Sequence, residues 1–597
     1  MYDDYLFFDI EVFKLNSMVV FKDIEEKTVK VFSSTLDGLG SYIDRGVSIE
    51  KGFENLEGYV KDKTLVGYNN HYYDDRIMKA LMFSANLNKE DKLKQEIVKA
   101  ANDSIINNTP LGWLKNTKDL PYKSLDCFQQ IDVSRPSLKK VEGNMGVSIV
   151  ESSVPFDIDR ELTPDENLET LKYCEYDVLN TVKIFKMRKD YYESKDAVIN
   201  MLENEYAKEN AHKWNTTSII ASLLKPRKKA PAYKVLPSKE TLSYVNTDVQ
   251  KMWSELTKTT DYKFDVKKII TNEFNNEIEF GWGGLHGAPK GFIETRDVRL
   301  ADVGSMYPSI LINLNGLGNK TMQYKDILDY RLTLKHQGKK AEQAPYKLIL
   351  NSTYGLLNNK YSALNNPTLA YSICIHGQVA VYVLAKRLAE IGARVININT
   401  DGVAYTLRGN EDEMIKKEWE EEFKLNLETD YFDRWVQKDV NNYIAVTDDG
   451  QIKVKGGDVN KYHGDNFFKN NDIGITHKAL VDYLVCDKPV QDTILENLDK
   501  PRMFQYILKA GNTYKGVVTR DEPDKLLDTK VNRVFATKKG VEILKKRADD
   551  GLVKFADTPT EMYLYNGELD KFENFKEIVD IQWYYDLTVK NLQRWRV

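Results

Sequence analysis

Only four of the 597 residues are cysteine (Cys127, Cys174, Cys374, Cys486), and no two stand in a CxxC pair. That excludes a disulfide framework or a zinc ribbon and sets a reducing, intracellular compartment as the expectation. Long hydrophobic runs are missing as well. None approaches the roughly 18–20 residues needed to cross a bilayer, so no membrane partner is expected. The opening MYDDYLFFDI has no basic stretch and no small-residue cleavage site, which argues against a secretory signal. No single sign of charge dominates: Lys+Arg 85 against Asp+Glu 90 leaves a net charge of −5. A wholly basic surface is excluded, but a local basic channel for nucleic acid is not. No internal repeat or long low-complexity segment is found, so a solenoid is not expected.

What is present is the balance of a globular chain, 42% hydrophobic, 29% charged and 11% aromatic. At about 150 residues per domain, the length predicts roughly four domains or subdomains. From Tyr5 to about Met187 the pattern is α/β, with strands at Leu6–Val12, near Thr64–Tyr68 and near Leu125, and a closing helix from about Asn167. Charged helices continue to about Leu224. The basic stretch Lys225-Pro-Arg-Lys-Lys-Ala-Pro cannot continue a helix and reads as a linker. A second α/β region runs from about Phe280 to Val459, and a mixed region with scattered Lys and Arg follows from about Asn470.

Phe7-Phe8-Asp9-Ile10-Glu11-Val12 reads as a buried strand. Residues two apart share a face, so Asp9 and Glu11 point together and repel each other. A divalent cation removes that conflict, whereas two solvated acids at a strand end are the bland reading. Further acids follow in Gly67-Tyr68-Asn69-Asn70-His71-Tyr72-Tyr73-Asp74 and in Tyr173-Cys-Glu-Tyr-Asp177, where helical spacing puts Tyr173 and Asp177 on one face.

The second region holds three more patterns. Asp302-Val303-Gly-Ser305-Met-Tyr307-Pro308-Ser309 sets an acid at the end of an apolar strand. Lys347, Asn351 and Tyr354 form one polar stripe on an apolar helix. Asn399-Thr400-Asp401-Gly402 reads as a hairpin turn between apolar strands.

In this order the amino-terminal acids resemble the DEDDy class of proofreading 3′–5′ exonuclease domains. The later patterns resemble motifs A, B and C of family B DNA polymerases. The family A pattern fits worse, because its Lys-to-Tyr spacing differs and its motif A carries a Glu absent here. The resemblance implies an α/β and α+β multidomain chain: an RNase H-like exonuclease domain and a right-hand polymerase of palm, fingers and thumb. It places the exonuclease at 1–190, connecting helices and linker at 191–290, palm at 291–320 and 366–470, short fingers at 321–365, and thumb with carboxy-terminal region at 471–597. The thumb is assigned by position alone. Only 45 positions separate Asp302 from Lys347 (347 − 302). That interval leaves no room for the insertion of protein-primed members, so an ordinary nucleic-acid primer is expected, as in compact bacteriophage replicative polymerases.

The resemblance also implies roles. Asp9, Glu11, Asp74 and Asp177 would hold two cations while Tyr173 orients the attacking water. Asn70, Tyr73, Ser124, Leu125 and Lys140 would touch the single-stranded 3′ end. Asp302, Asp401 and the Val303 carbonyl would hold two more cations. All-oxygen ligands suit Mg²⁺, with Mn²⁺ able to substitute. Arg331, Lys335 and Lys347 would neutralise triphosphate oxygens, with Ser305 and Asn351 beside them. Tyr354 would pack under the nascent base pair, and Tyr307 under the sugar would exclude a 2′-OH. Tyr443, Lys453 and Lys455 match the segment that steadies the primer; a solvated edge strand is the alternative for the lysines.

Three positions depart from the family pattern: Asn399 replaces the first acid of motif C, Gly281 the tyrosine of YxGG, and Asn441 the lysine of KxY. A nuclease with a decayed polymerase half and a non-catalytic DNA-binding scaffold therefore stay open as other readings. The expected partners are primer-template DNA and dNTPs, and further a single-strand-binding protein, helicase or primase. The chain is expected to act as a monomer in the cytoplasm of an infected bacterial host.

Overall fold

The computed structural model describes residues 2, 4–117, 119–129, 135–228, 236–257, 268–281, 283–464, 473–511 and 513–596. Trp282, linker positions 229–231 and the expected 470/471 boundary lie outside the described residues.

The first sheet has six strands: β1 (Tyr5–Val12), β2 (Ser17–Lys22), β3 (Thr28–Ser33), β4 (Ile49–Lys51), β5 (Thr64–Gly67) and β6 (Lys123–Asp126). Their order is β4-β3-β2-β1-β5-β6. β1 is central, antiparallel to β2 and parallel to β5. The helix Pro164–Met187 packs on β1 and β2. It begins three residues before the expected Asn167 because Thr163 and Glu166 form a capping box: the Thr163 hydroxyl accepts from the Glu166 amide, and the Glu166 carboxylate accepts from the Thr163 amide.

The second sheet has nine strands: β7 (Ile269–Glu273), β8 (Asn276–Phe280), β9 (Leu285–Ala288), β10 (Ile293–Val303), β11 (Arg394–Thr400), β12 (Gly402–Thr406), β13 (Leu427–Asp439), β14 (Asn442–Val446) and β15 (Ile452–Lys455). β10 sits between β12 and β13. Two helices, Thr321–His336 and Lys340–Asn358, leave the sheet together, and the turn between them uses Gly338 at φ +72°. The helix Pro367–Glu390 is long and apolar enough to cross a bilayer by composition, a feature the sequence reading passed over. Its apolar window is 94% buried, and it packs against β11 and β12 as a core helix.

The tail is not purely helical. β16 (Tyr506–Lys509), β17 (Tyr514–Thr519), β18 (Val531–Val541), β19 (Ile543–Arg547), β20 (Leu552–Lys554) and β21 (Met562–Leu564) form two small sheets, β16-β18-β21 and β17-β19-β20. The first of them, through β16 and β18, packs on the helix Leu138–Met145 of the first region. The Ile149 amide donates to the Asn566 carbonyl, and the Leu569 amide to that of Gly146. All four cysteines are free thiols, three of them buried.

Candidate active sites

β1 carries Asp9 and Glu11 on one face, as period-2 geometry requires. The helix Asp74–Ala85 brings Asp74 in its first turn, and the helix Pro164–Met187 brings Tyr173 and Asp177. Glu11, Asp74 and Asp177 are buried. Burial followed by mutual repulsion raises these carboxyls: Asp9 is pushed up to about 7, with Asp177 its chief repelling neighbour. Burial, and then Asp9, drive Glu11 and Asp74 well upward. The Cys174 thiol joins them 3.9 Å from Asp9 Oδ2; Asp9, Glu11 and Cys174 present ligand atoms within 4.8 Å of one another. No signal in the sequence separated this cysteine from packing.

The cation in this cluster belongs to Lys139. Lys140, expected as a phosphate contact on the single-stranded 3′ end, is half-buried on the next position of the helix. Lys139 Nζ pairs with Asp177 and, at 3.2 Å, with Glu142 Oε1, and lies 4.7 Å from the Tyr173 ring centroid. Burial pulls this amine down, but Asp177 and Glu142 outweigh it and hold it protonated. Tyr173 hydrogen-bonds to Asp177.

Three of the expected single-strand contacts point inward. Ser124 and Asn70 are fully buried: Asn70 Nδ2 donates to Ser124 Oγ at 2.9 Å, and Ser124 Oγ donates to Asp75 Oδ2 at 2.7 Å. Leu125 belongs to the core between the sheet and the long helix. β6 is covered on both faces, so the period-2 pattern could not distinguish a binding edge from a core strand. Tyr73 is half-buried and donates to Asn102 Oδ1 at 2.7 Å.

In the second sheet, register sets Asp302 opposite Gly402 on β12 and opposite Glu428 on β13. Thr400 takes φ +48° in the hairpin turn, and the Val303 amide donates to the Asp401 carbonyl at 2.6 Å. A Cβ at Gly402 would stand 3.0 Å from Asp302 Oδ1, so the glycine lets the turn lie against that carboxylate without displacing it. Burial, then Asp401, Glu428 and Asp430, push Asp302 up to about 7. Asp401 is raised by burial, with Lys455 acting against it. Lys455 therefore faces the acids, whereas Lys453 is paired with Asp430 at 2.9 Å. Glu428 and Asp430 were missed, although they repeat the two-residue acid spacing that drew attention to Asp9 and Glu11.

Other expected residues converge here. Arg331 Nη1 donates to Ser305 Oγ at 2.8 Å. Lys335 Nζ reaches both Glu428 oxygens, at 2.6 and 2.7 Å. The Tyr307 and Tyr354 rings lie 4.6 Å apart. Lys347 and Asn351 stand exposed on the same helix. Tyr443 stacks on Trp435 at 4.3 Å. The glycine-rich loop is clamped to the hairpin: Gln378 Nε2 donates to the Gly281 and Gly283 carbonyls at 2.8 and 2.9 Å, and a Cβ on Gly284 would come within 2.5 Å of Thr400 Oγ1. Two of the departures meet each other. Asn399 Nδ2 donates to the Val440 carbonyl at 2.8 Å and to Asn441 Oδ1 at 3.3 Å.

Both clusters fit hard divalent cations: the ligands are carboxylate oxygens with too few cationic neighbours to neutralise them. In the metal-free protein Asp9 and Asp302 keep protons to about pH 7 that the unfolded chain releases near 4. Unfolding then releases protons, so this contribution to stability is present below about 4 and lost as pH rises through about 7. With chelator present, denaturation midpoints should fall between about pH 5 and about pH 8, and Mg²⁺ should remove the fall. An unchanged slope with Mg²⁺ would contradict binding at these acids.

No protein-family model matches the chain, and no curated protein matches it. Among solved structures it is similar to the family B DNA polymerase from the hyperthermophilic archaeon Pyrobaculum calidifontis, with a TM-score of 0.41 and 13% identity over 99% of this chain and 78% of that chain. A likeness at that level carries no argument about function, so the side chains must supply it.

Proposed function

We propose that this chain is a DNA-templated DNA polymerase with a 3′–5′ proofreading exonuclease, extending an ordinary nucleic-acid primer with dNTPs. The observation that carries the reading is Asp302 at the end of β10 repelled by Asp401 in the β11–β12 turn, with Arg331, Lys335 and the Tyr307–Tyr354 pair around them. The second sheet is then the palm, the helices Thr321–His336 and Lys340–Asn358 the fingers, and the first sheet the exonuclease domain.

Paired divalent cations bound at each cluster, Mg²⁺ by ligand type, would acidify the attacking oxygen and stabilise charge on the leaving one. The chain's own residues position the reactants, which is most of what an in-line phosphoryl transfer requires. Arg331 and Lys335 take triphosphate oxygens, Lys335 exchanging the Glu428 carboxylate for phosphate. Tyr354 floors the nascent base pair, and Tyr307 leaves no room for a 2′-OH. Tyr443, held flat by Trp435, steadies the primer end. In the exonuclease site Tyr173 and Lys139 orient water against Asp177.

Primer-template DNA and dNTPs are the proposed partners, with a single-strand-binding protein, helicase or primase as further ones, in the cytoplasm of an infected bacterial host. Decay of the polymerase half is less well supported, because Asn399 and Asn441, two of the departures, hydrogen-bond to each other as an ordered amide pair. Asn399→Asp alone turns a carboxylate toward the Val440 carbonyl and should cost about 1 kcal/mol or more. Adding Asn441→Lys should recover it, as read by denaturation midpoints. The functional test is extension of a labelled primer-template with Mg²⁺ and then Mn²⁺. No dNTP-dependent product with either ion rejects the reading.

A further inference from the structure

The basic stretch after the helix Thr216–Leu223 is not explained by a linker role alone. Lys225, Arg227 and Lys228 are exposed, and none forms an ion pair among the described residues. Glu203 is the acid that senses Arg227, and Lys320 already holds it at 2.9 Å. The stretch is fixed rather than loose: the Arg227 amide donates to Asn319 Oδ1 at 3.0 Å. Pro226 lines a small cleft with Leu357, Ala363 and Leu364, which belong to the finger helix Lys340–Asn358 and the loop after it.

That loop carries Tyr361, 85% exposed and the most exposed large apolar side chain among the described residues. Lys360 Nζ sits 4.9 Å from its ring centroid. The tip is built, not frayed: the Tyr361 amide donates to Asn359 Oδ1 at 3.0 Å, the Ser362 amide to the Asn359 carbonyl at 2.9 Å, and the Asn366 amide to the Leu357 carbonyl at 2.9 Å. Tyr361 thus stands two residues from the Pro226 cleft. It also lies just past the end of the helix that presents Tyr354 to the nucleotide site. An aromatic face held out into water beside Lys360, with three more cations flanking Pro226 at the adjoining cleft, is poor for a folded chain alone, and it suits a strand that offers phosphates and unstacked bases.

We propose that Lys225, Arg227, Lys228 and the Lys360–Tyr361 tip form one platform that binds single-stranded DNA, namely the unpaired template ahead of the nucleotide site. The choice of template strand rests on the polymerase reading; the affinity for single strands does not. A base leaving the nascent pair floored by Tyr354 meets Tyr361 and stacks on it. The backbone then runs over the 225–228 segment, where the cations replace its condensed counterions.

The test is fluorescence anisotropy on two primer-templates in chelator without dNTPs, one with a single unpaired template base and one with an extended overhang. Wild type should hold the extended overhang more tightly. Tyr361→Ala should weaken that substrate about tenfold and leave the single-base substrate unchanged. Lys225→Gln with Arg227→Gln and Lys228→Gln should reduce the slope of log affinity against log salt by about 2 on the extended overhang, close to 0.7 for each of three neutralised contacts. Equal losses on both substrates, or no loss on either, overturn the proposal, as does a wild type indifferent to overhang length. Incorporation opposite the single base should stay at the wild-type rate in all variants, which reports that they fold. Absence of incorporation in wild type with overhang binding intact defeats the polymerase reading and leaves a single-strand site standing.

Discussion

Asp302→Ala and Asp401→Ala are each expected to lower dNTP incorporation by about 10³-fold or more and to leave 3′-end degradation at the wild-type rate. Asp9→Ala with Glu11→Ala should do the reverse. The size follows from the chemistry: losing a ligand that holds a catalytic cation forfeits several kcal/mol of transition-state stabilisation, at about 1.4 kcal/mol per decade of rate. Separation follows from the architecture, since the two clusters lie on different sheets, one on β1 and the other at the ends of β10 and β12. Unfolding is a poor alternative cause. Each acid is held above its ordinary value by burial, and Asp302, Asp9 and Glu11 by repelling neighbours as well, so removal relieves an unfavourable buried charge in the metal-free protein. Thermal midpoints in chelator should accordingly stay level or rise. Rates on one labelled primer-template decide the matter, and equal damage to both activities by both sets of substitutions would sink the two-site reading.

Arg533→Met should produce the largest loss of stability, about 3–5 kcal/mol, as is typical when a buried charged network is broken. Arg533 is fully buried and has no carboxylate partner among the described residues. Its guanidinium donates instead to Gln505 Oε1 at 2.9 Å and to the carbonyls of Gly567 at 2.5 Å, Gly143 at 3.1 Å and Val147 at 2.7 Å. Burial lowers it to about 10, still protonated at neutral pH. Gly143 and Val147 lie at the carboxy-terminal end of the helix Leu138–Met145, where a cation is favoured by the helix dipole. Methionine fills much of the volume and leaves those acceptors unpaired. Because the same helix carries Lys139 and Glu142, degradation should fail at a lower denaturant concentration than synthesis. Chemical denaturation with both activities followed in parallel checks this, and an unshifted midpoint would refute it.

Much of the site was legible because local rules sufficed. Period 2 put Asp9 with Glu11, helical spacing put Tyr173 with Asp177, and a Thr-Asp-Gly turn between apolar runs gave the hairpin β11–β12. Other placements were decided where local rules are silent. Lys139 and Lys140 differ by one helical step, and only the packing of their helix between Asp177 and the carboxy-terminal sheets decides which ammonium enters the acids. Ser124 looked like a ligand contact because a serine beside an apolar residue reads the same on either face of a doubly covered strand; Asp75, fully buried beneath it, claims its hydroxyl. Cys174 gave no signal because an isolated cysteine normally packs.

By itself, then, the sequence determined the elements and the residues each places on a common face, since those follow from backbone periodicity and turn chemistry over a few positions. Only tertiary structure decided the neighbours across elements: Glu428 beside Asp302, Asn441 against Asn399, Lys139 on Asp177, Arg533 in the end of a distant helix. Those pairings depend on strand register and on which buried charge finds a partner, and both are set by the packing of segments from about forty to several hundred residues apart, where no short-range pattern reaches.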